Sequence, residues 1–330
     1  AGMLTRNVRA SDTVARIGGD EYAVILPLAG GEDLAGRIGE RVIKVLRESY
    51  EVHKNTVRLG ASIGITFFPN DGKDMPTLLR NAELAMSRAK AAGGNHCTFF
   101  NNGMAEAAEL RSALESDMHQ ALRQNEFCLF YQPIVDVDNS RVVGAEALIR
   151  WRHPVNGLVP PDTFIPLSEE TGFIRDIGSW VLETVCKQLA QWQSQGKDYY
   201  LSINISGRQI PDGISPSVLA ETVRRHGINP ARLVLEITEG VLLTDISQAL
   251  SWLNAVRDQG FRIYLDDFGT GYSSLSYLKR FPVNTVKIDK SFVHDMSSNA
   301  SDLALVGAII AMARSLSLEV VAEGVETLAQ

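Results

Sequence analysis

Cysteine is scarce in this 330-residue chain: Cys97, Cys128 and Cys186 lie far apart and form no C-x-x-C pair. That spacing supplies neither a thiolate zinc site nor a disulfide framework, and it suits a reducing, cytoplasmic compartment. The six histidines, His53, His96, His119, His153, His226 and His294, are scattered singly, without the spacing of metal ligands. Positive charge is in the minority. With 32 Lys and Arg against 39 Asp and Glu the net charge is −7, which excludes the broad basic surface that a nucleic-acid polymer requires. A small anionic ligand is still possible if a metal ion bridges it to acidic groups. Long apolar runs are lacking too. The most apolar helix-like stretch, 303–313, falls well short of the roughly 20 residues that span a bilayer and reads as a buried helix. No secretory signal opens the chain and its first residue is Ala1, not Met. The chain is therefore expected to be a segment of a longer protein with an upstream sensor domain, membrane anchoring left open.

What is present is globular in composition, 45% hydrophobic and 22% charged, and long enough for roughly two domains. Two different grammars meet near residues 101–125. Before them, "TVARIGGDEYAVILP" reads as strand, Gly-Gly turn, strand. A helix over 32–49, a strand in "LGASIGITFF", a helix over 75–92 and a strand in "HCTFF" complete a small α/β sheet domain over 1–101. The charged, helically periodic stretch within 102–125 predicts a connecting helix. From Glu126 onward, "FCLFYQPIVD" and "RVVGAEALIRW" flank the turn residues Asp138, Asn139 and Ser140 and predict an antiparallel hairpin. Five further strands, "YLSINIS", "RLVLEITE", "FRIYLDDF", "NTVKIDK" and "LEVVAEGVE", each follow an amphipathic helical stretch. Repeated units of this kind specify a parallel sheet with right-handed crossovers, here a (β/α) TIM-like barrel with an antiparallel first hairpin. Seven strands are counted over 126–330, so the closing strand is expected to be absent and two edges open.

Strand side chains alternate between faces. In "YLSINIS", Leu201, Ile203 and Ile205 take one face and Ser202, Asn204 and Ser206 the other. The same parity sets Glu236 against Leu233, Leu235 and Ile237, Asp266 against Ile263 and Leu265, Lys287 against Val286 and Ile288, Glu323 against Val320 and Ala322, and Glu146 against Ala145 and Ala147. Helices cover the outside of such a barrel, so the polar face points into the lumen. Burying an unpaired ionised acid costs several kcal/mol, and Lys287 alone cannot neutralise Glu146, Glu236, Asp266, Asp267 and Glu323. An oxygen-rich set of carboxylates and an amide suits magnesium, manganese or calcium. All but Glu146 lie near the C-terminal ends of parallel strands, where barrel enzymes place their chemistry. On the residues alone, enolase-like or aldolase-like metal chemistry stays open.

The separated motifs "YQPIVD", "EALIRW", "SINIS", "LEITE", "DDFGTGYSSLSYLKRFPVNTVKID" and "VAEGVE" occur in order, and on them the second segment resembles an EAL domain. Through "RIGGDEYAVILP", "ASIGIT" and "AELAMSRAKAAGGN" the first resembles the C-terminal part of a GGDEF domain. The EAL resemblance implies a metal-dependent phosphodiesterase that opens cyclic di-GMP to linear pGpG. It makes Glu146, Asn204, Glu236, Asp266, Asp267 and Glu323 the ligands of two Mg2+ or Mn2+ ions. Lys287 would contact the attacking water, Glu323 counts as catalytic as well as a ligand, and Glu239 would hold the loop of the Asp pair in its working position, the Gly, Thr and Ser residues that follow giving it freedom to move. The family's last strand, with a Gln-Gly-Tyr motif, is absent, while every ligand position covered by the chain is intact.

In the GGDEF part, Gly18, Gly19, Asp20 and Glu21 are present, with Tyr22 in place of Phe. The resemblance implies a GTP and Mg2+ site there, incomplete because an earlier acidic strand and base-contacting helix are not in the chain. Arg9 and Asp12 match the family's Arg-x-x-Asp inhibitory site; the other reading of them is a surface ion pair. The family also implies a homodimer. A receptor that binds cyclic di-GMP or GTP without turnover, and a protein acting mainly as a diguanylate cyclase, are the alternatives. His153 reads as structural, and Trp180, Trp192 and Trp252 as core packing.

Overall fold

The computed structural model describes residues 2–27, 31–47, 49–52, 55–211, 213–269, 278–297, 299–327 and 330. It divides into two compact units, Ala1–Ala113 and Leu114–Gln330, and the boundary falls inside the helix Asn102–Ala121.

In the first unit the strands pair two by two. β1 (Thr13–Gly18) and β2 (Glu21–Ile25) form the expected antiparallel hairpin. β3 (Ser49–Val52) and β4 (Asn55–Arg58) form a second, and β5 (Ile63–Ile65) runs parallel to β6 (Cys97–Phe99). The helix Met75–Ala91 starts where Asp74 accepts a hydrogen bond from the Thr77 amide at 2.8 Å, with Pro76 in the first turn, the arrangement that satisfies the orphan donors of a helix start. It lies so close to β5 that a Cβ at Gly64 would sit 1.9 Å from the Ala82 carbonyl oxygen.

The second unit is built on one curled sheet of eight strands: β7 (Phe127–Asp136), β8 (Arg141–His153), β9 (Gly157–Val159), β10 (Tyr200–Asn204), β11 (Leu233–Thr238), β12 (Arg262–Phe268), β13 (Thr285–Ile288) and β14 (Glu319–Ala322). Their order is β14-β13-β12-β11-β10-β8-β7, with β9 paired to β8. β7 and β8 are antiparallel, and β8, β10, β11, β12, β13 and β14 run parallel. Asp136 closes the β7–β8 turn by accepting from the Asp138 and Asn139 amides. β9 is not among the strands anticipated from the sequence; it lies just before Pro160 and Pro161 and folds back on the end of β8. Among the described residues β7 and β14 do not pair with each other, so the sheet is a barrel wall that does not close.

The outer face of the wall carries the aliphatic residues that parity assigned to it. Leu201, Ile203, Leu233, Leu235, Ile237, Ile263, Leu265, Val286 and Ile288 are buried against Leu182, Leu189, Leu219, Leu253 and Val256 of the covering helices. The helix Ala300–Ser315 departs from expectation. Val306, Ile309 and Ala313 are buried, but Leu303 is 56% and Leu305 38% exposed, because only one side of it meets the sheet.

The lumen has a floor that parity also assigns, two residues before each polar position. Tyr200, Val234 and Tyr264 are buried together, the two rings meeting edge-on at 6.1 Å. The Arg262 guanidinium lies over both rings and pairs with Glu319 below. Gly144 makes room, since a Cβ there would come within 2.7 Å of the Tyr200 ring.

Two consequences can be measured. Leu235 is fully buried in the wall, so Leu235→Ala should lower unfolding stability by about 2–5 kcal/mol in urea denaturation; a change under about 1 kcal/mol would contradict the packing described. Burial, reinforced by nearby Glu183, pushes the Cys186 thiol up to about 12. It should therefore stay protonated and unreactive toward DTNB at pH 8 in the native protein and react once urea unfolds the chain.

Candidate active site

A parallel sheet puts successive lumen-facing side chains of neighbouring strands at similar depth, and here that depth is ionic. The order of the strands settles the direction of Glu146. β8 runs parallel to β10 with Glu146 in register with Ser202, so Glu146 enters the same seam as the acids of the later strands.

At the centre stands Lys287, 2% exposed. Its Nζ lies 2.7 Å from Glu236 Oε2 and from Glu323 Oε1, and 3.1 Å from Glu146 Oε2 and from Asp266 Oδ1. Burial alone disfavours the ammonium, but Glu236, Glu146, Asp266 and Glu323 together outweigh it and hold the Lys287 pKa above the ordinary lysine value. The acids carry the complementary cost. Burial first, then the charges of Glu146 and Asp266, push Glu236 up to about 8, with Lys287 countering only in part. Glu323 is raised chiefly by burial, and Asp267 by burial and then by Asp266 and Asp289.

Two adjacent acids on a regular strand would face opposite ways. On β12 the register shifts between Leu265 and Phe268, which pair with Val286 and Ile288, so Asp266 and Asp267 together stand opposite Lys287. This is a β-bulge, one extra residue that bends the strand and re-aims a side chain. Asp267 takes φ 53, a left-handed conformation that Asp tolerates better than most residues, and its amide donates to Asp266 Oδ1 at 3.0 Å. Phe268 returns to the aliphatic wall. The result is that carboxylate oxygens of Asp266, Asp267 and Glu323 lie within 4.8 Å of one another.

Asn204 donates from Nδ2 to Glu146 Oε1 at 2.8 Å, leaving its amide oxygen out of that bond. Glu236 Oε1 and Ser202 Oγ are buried without a hydrogen-bond partner among the described residues. Both carboxylate oxygens of Glu239, the first residue of the helix Glu239–Thr244, are in the same condition. The expected mobile loop after the Asp pair lies, for residues 270–277, outside the described residues. With all five carboxylates ionised, the cluster around one ammonium carries four negative charges, the charge that two divalent cations neutralise, and the raised pKa values of Glu236, Glu323 and Asp267 register that excess in the absence of such cations. With oxygen-only donors and an orphaned carboxylate oxygen, the residues fit hard cations.

In the first unit, Gly18 closes β1, Gly19 has φ 42 and Glu21 pairs with Gly18. The Gly19 carbonyl accepts from Arg16 Nε at 2.9 Å and Nη2 at 2.6 Å, so Arg16 holds the turn that presents Asp20 and Tyr22. The contact recorded between Arg9 and Asp12 is local, with the Arg9 amide donating to Asp12 Oδ2 at 2.7 Å and the Asp12 amide to the Arg9 carbonyl. His153 is structural. Its Nδ1 accepts from the Val155 and Asn156 amides, which places the ring hydrogen on Nε2, facing Asp117 Oδ2 at 3.2 Å.

Sequence reasoning missed Glu169, whose Oε1 accepts from Ser206 Oγ at 2.5 Å beyond the end of β10; "FIPLSEETG" signals a helix end but not which strand it meets. It also missed the aromatic floor, though the parity that selects Ser202 and Asp266 selects Tyr200 and Tyr264 two residues earlier.

Residues 115–330 match the family described as EAL domain, and residues 1–96 match that described as Diguanylate cyclase, GGDEF domain. The bifunctional diguanylate cyclase/cyclic di-GMP phosphodiesterase MucR of Pseudomonas aeruginosa is 40% identical over 331 residues, covering 100% of this chain and 48% of MucR. The cyclic di-GMP phosphodiesterase NbdA of the same organism is 37% identical over 321 residues, 97% of this chain and 41% of NbdA. The chain thus spans about half the length of these curated relatives or less. A solved structure, the PaMucR phosphodiesterase in complex with c-di-GMP, superposes with a TM-score of 0.63 at 42% identity, over 66% of this chain and 88% of that one. No helix among the described residues is long and apolar enough to cross a membrane. The chain belongs to the EAL domain family, its barrel preceded by a GGDEF domain match.

Proposed function

We propose that the barrel hydrolyses cyclic di-GMP to linear pGpG. The observation that carries this reading is the convergence of Glu146, Glu236, Asp266 and Glu323 on Lys287 Nζ at the strand ends. The phosphodiesterase names of MucR and NbdA, and the c-di-GMP held by PaMucR, support it. Two Mg2+ or Mn2+ ions, held by Glu146, Asn204, Glu236, Asp266, Asp267 and Glu323, would activate water and stabilise both oxygens of an in-line displacement at phosphorus. In that displacement the water oxygen bonds to phosphorus and gives up a proton, one P–O3′ bond breaks, and the departing 3′ oxygen takes up a proton from solvent to leave as a hydroxyl.

The protein's own groups orient this chemistry. Lys287, held as an ammonium, donates hydrogen bonds and keeps its proton, so it steers a water without deprotonating it. Asn204 fixes Glu146 through Nδ2. Glu323 stands at the rim beside Asp266 and Asp267 and can accept the proton of the attacking water. The buried floor of Tyr200, Val234 and Tyr264 excludes bulk water from below. Glu239 is assigned as the anchor of the segment that follows Asp267.

For the first unit, the presented Gly18–Tyr22 turn supports GTP as a ligand. Binding of cyclic di-GMP or GTP without turnover is the second reading, and a homodimer is part of the proposal on family grounds.

The protein mixed with cyclic di-GMP and Mg2+ should yield pGpG by chromatography, and EDTA should stop it. Bound ligand without pGpG would sink the phosphodiesterase reading in favour of the receptor. Glu146→Ala and Asp266→Asn should each lower kcat by at least about a hundredfold with an unchanged circular dichroism spectrum; wild-type turnover in either would remove that residue from the site.

A further inference from the structure

We propose that Lys287 is the built-in counter-cation of the carboxylate seam: its ammonium lets the acids pack into one barrel interior and sets a ceiling on how tightly they bind divalent cations. This rests on the divalent-cation reading above.

The geometry presses one positive charge against the very carboxylates assigned as ligands. Nζ is within 3.1 Å of oxygens from Glu146, Glu236, Asp266 and Glu323, and the bulge on β12 sets Asp266 and Asp267 together across from it. An ammonium has three N–H donors, fewer than the four carboxylates it faces. One carboxylate is therefore always short of an ammonium donor, and even Glu236, which Lys287 reaches at Oε2, keeps an Oε1 with no hydrogen-bond partner among the described residues. The seam is held together without being satisfied, which is the condition for attracting a further cation.

The same charge opposes that cation. A unit positive charge a few ångströms from a divalent ion, in an effective dielectric of about 20, weakens binding by tenfold or more. Removing it would reverse both effects. The acids would repel one another inside the sheet, since deleting one partner of a buried ion pair strands the other charges, and a divalent cation would then be held more tightly because no ammonium competes for its ligands. A lysine whose part is confined to the attacking water makes neither prediction. Its loss would spare both stability and metal affinity.

Mn2+ binding to EDTA-stripped protein by isothermal titration calorimetry, with thermal unfolding in EDTA and in Mn2+, separates these. Lys287→Met and Lys287→Gln should melt at a lower temperature than wild type in EDTA, bind Mn2+ at least about tenfold more tightly, and show a larger Mn2+-induced rise in Tm. A variant that folds only when Mn2+ is added, followed by circular dichroism, supports the proposal. One that stays unfolded in excess Mn2+ overturns it, because the metal then fails to replace the ammonium. Lys287→Arg, which keeps the charge, should not gain affinity. If wild type binds Mn2+ while the Met and Gln variants bind it equally or more weakly, the role of Lys287 is wrong and the metal site stands; if wild type binds no Mn2+, the divalent-cation reading itself falls.

Discussion

One ammonium surrounded by carboxylates inside a sheet is the constraint around which the second unit is arranged. Lys287 reaches four acids on β8, β11, β12 and the end of β14, so it joins strands far apart in sequence through one buried point. Hydrophobic burial on the outer face of the wall holds the strands, but it has no preference about which polar groups meet inside. That choice is made by charge. A buried ion pair is weak evidence for stability on its own, whereas an ionic centre with excess negative charge is strong evidence for a ligand that completes it.

The aromatic floor and the aliphatic wall make this centre possible by keeping it dry. Tyr200 and Tyr264 close the lumen below the acids, with Arg262 and Glu319 capping the rings from beneath. Burial and its partner Tyr264 push the Tyr200 hydroxyl above the ordinary tyrosine range, so the floor adds no further charge under the seam. In a low-dielectric interior each remaining charge counts for more, and for that reason Glu236 departs so far from an ordinary glutamate.

Much of this was legible in the sequence because strand parity is a strict code. A polar residue recurring at alternate positions in several strands marks one face, and the seven anticipated barrel strands each contain a strand of the sheet. The direction of Glu146 was not legible, because it depends on β8 running parallel to β10, which no local pattern states. Nor was the fourfold meeting at Lys287, since parity assigns a face but not a distance. The helix Ala300–Ser315 was misread as buried because an apolar composition does not reveal that only one side has a neighbour. Short β9 was not anticipated, because three residues beside Pro160 and Pro161 are too few to show a period.

The bulge at Asp266 and Asp267 is where parity breaks, and it gives chain length a chemical meaning. Between Leu265 and Phe268, both in the aliphatic wall, stand two residues where a regular strand would have one. Shortening the strand by one residue there would restore the alternation, leaving a single acid to face Lys287. The count of residues between two wall positions is therefore as much a part of the ligand set as the acids themselves, and substitutions alone cannot reveal it.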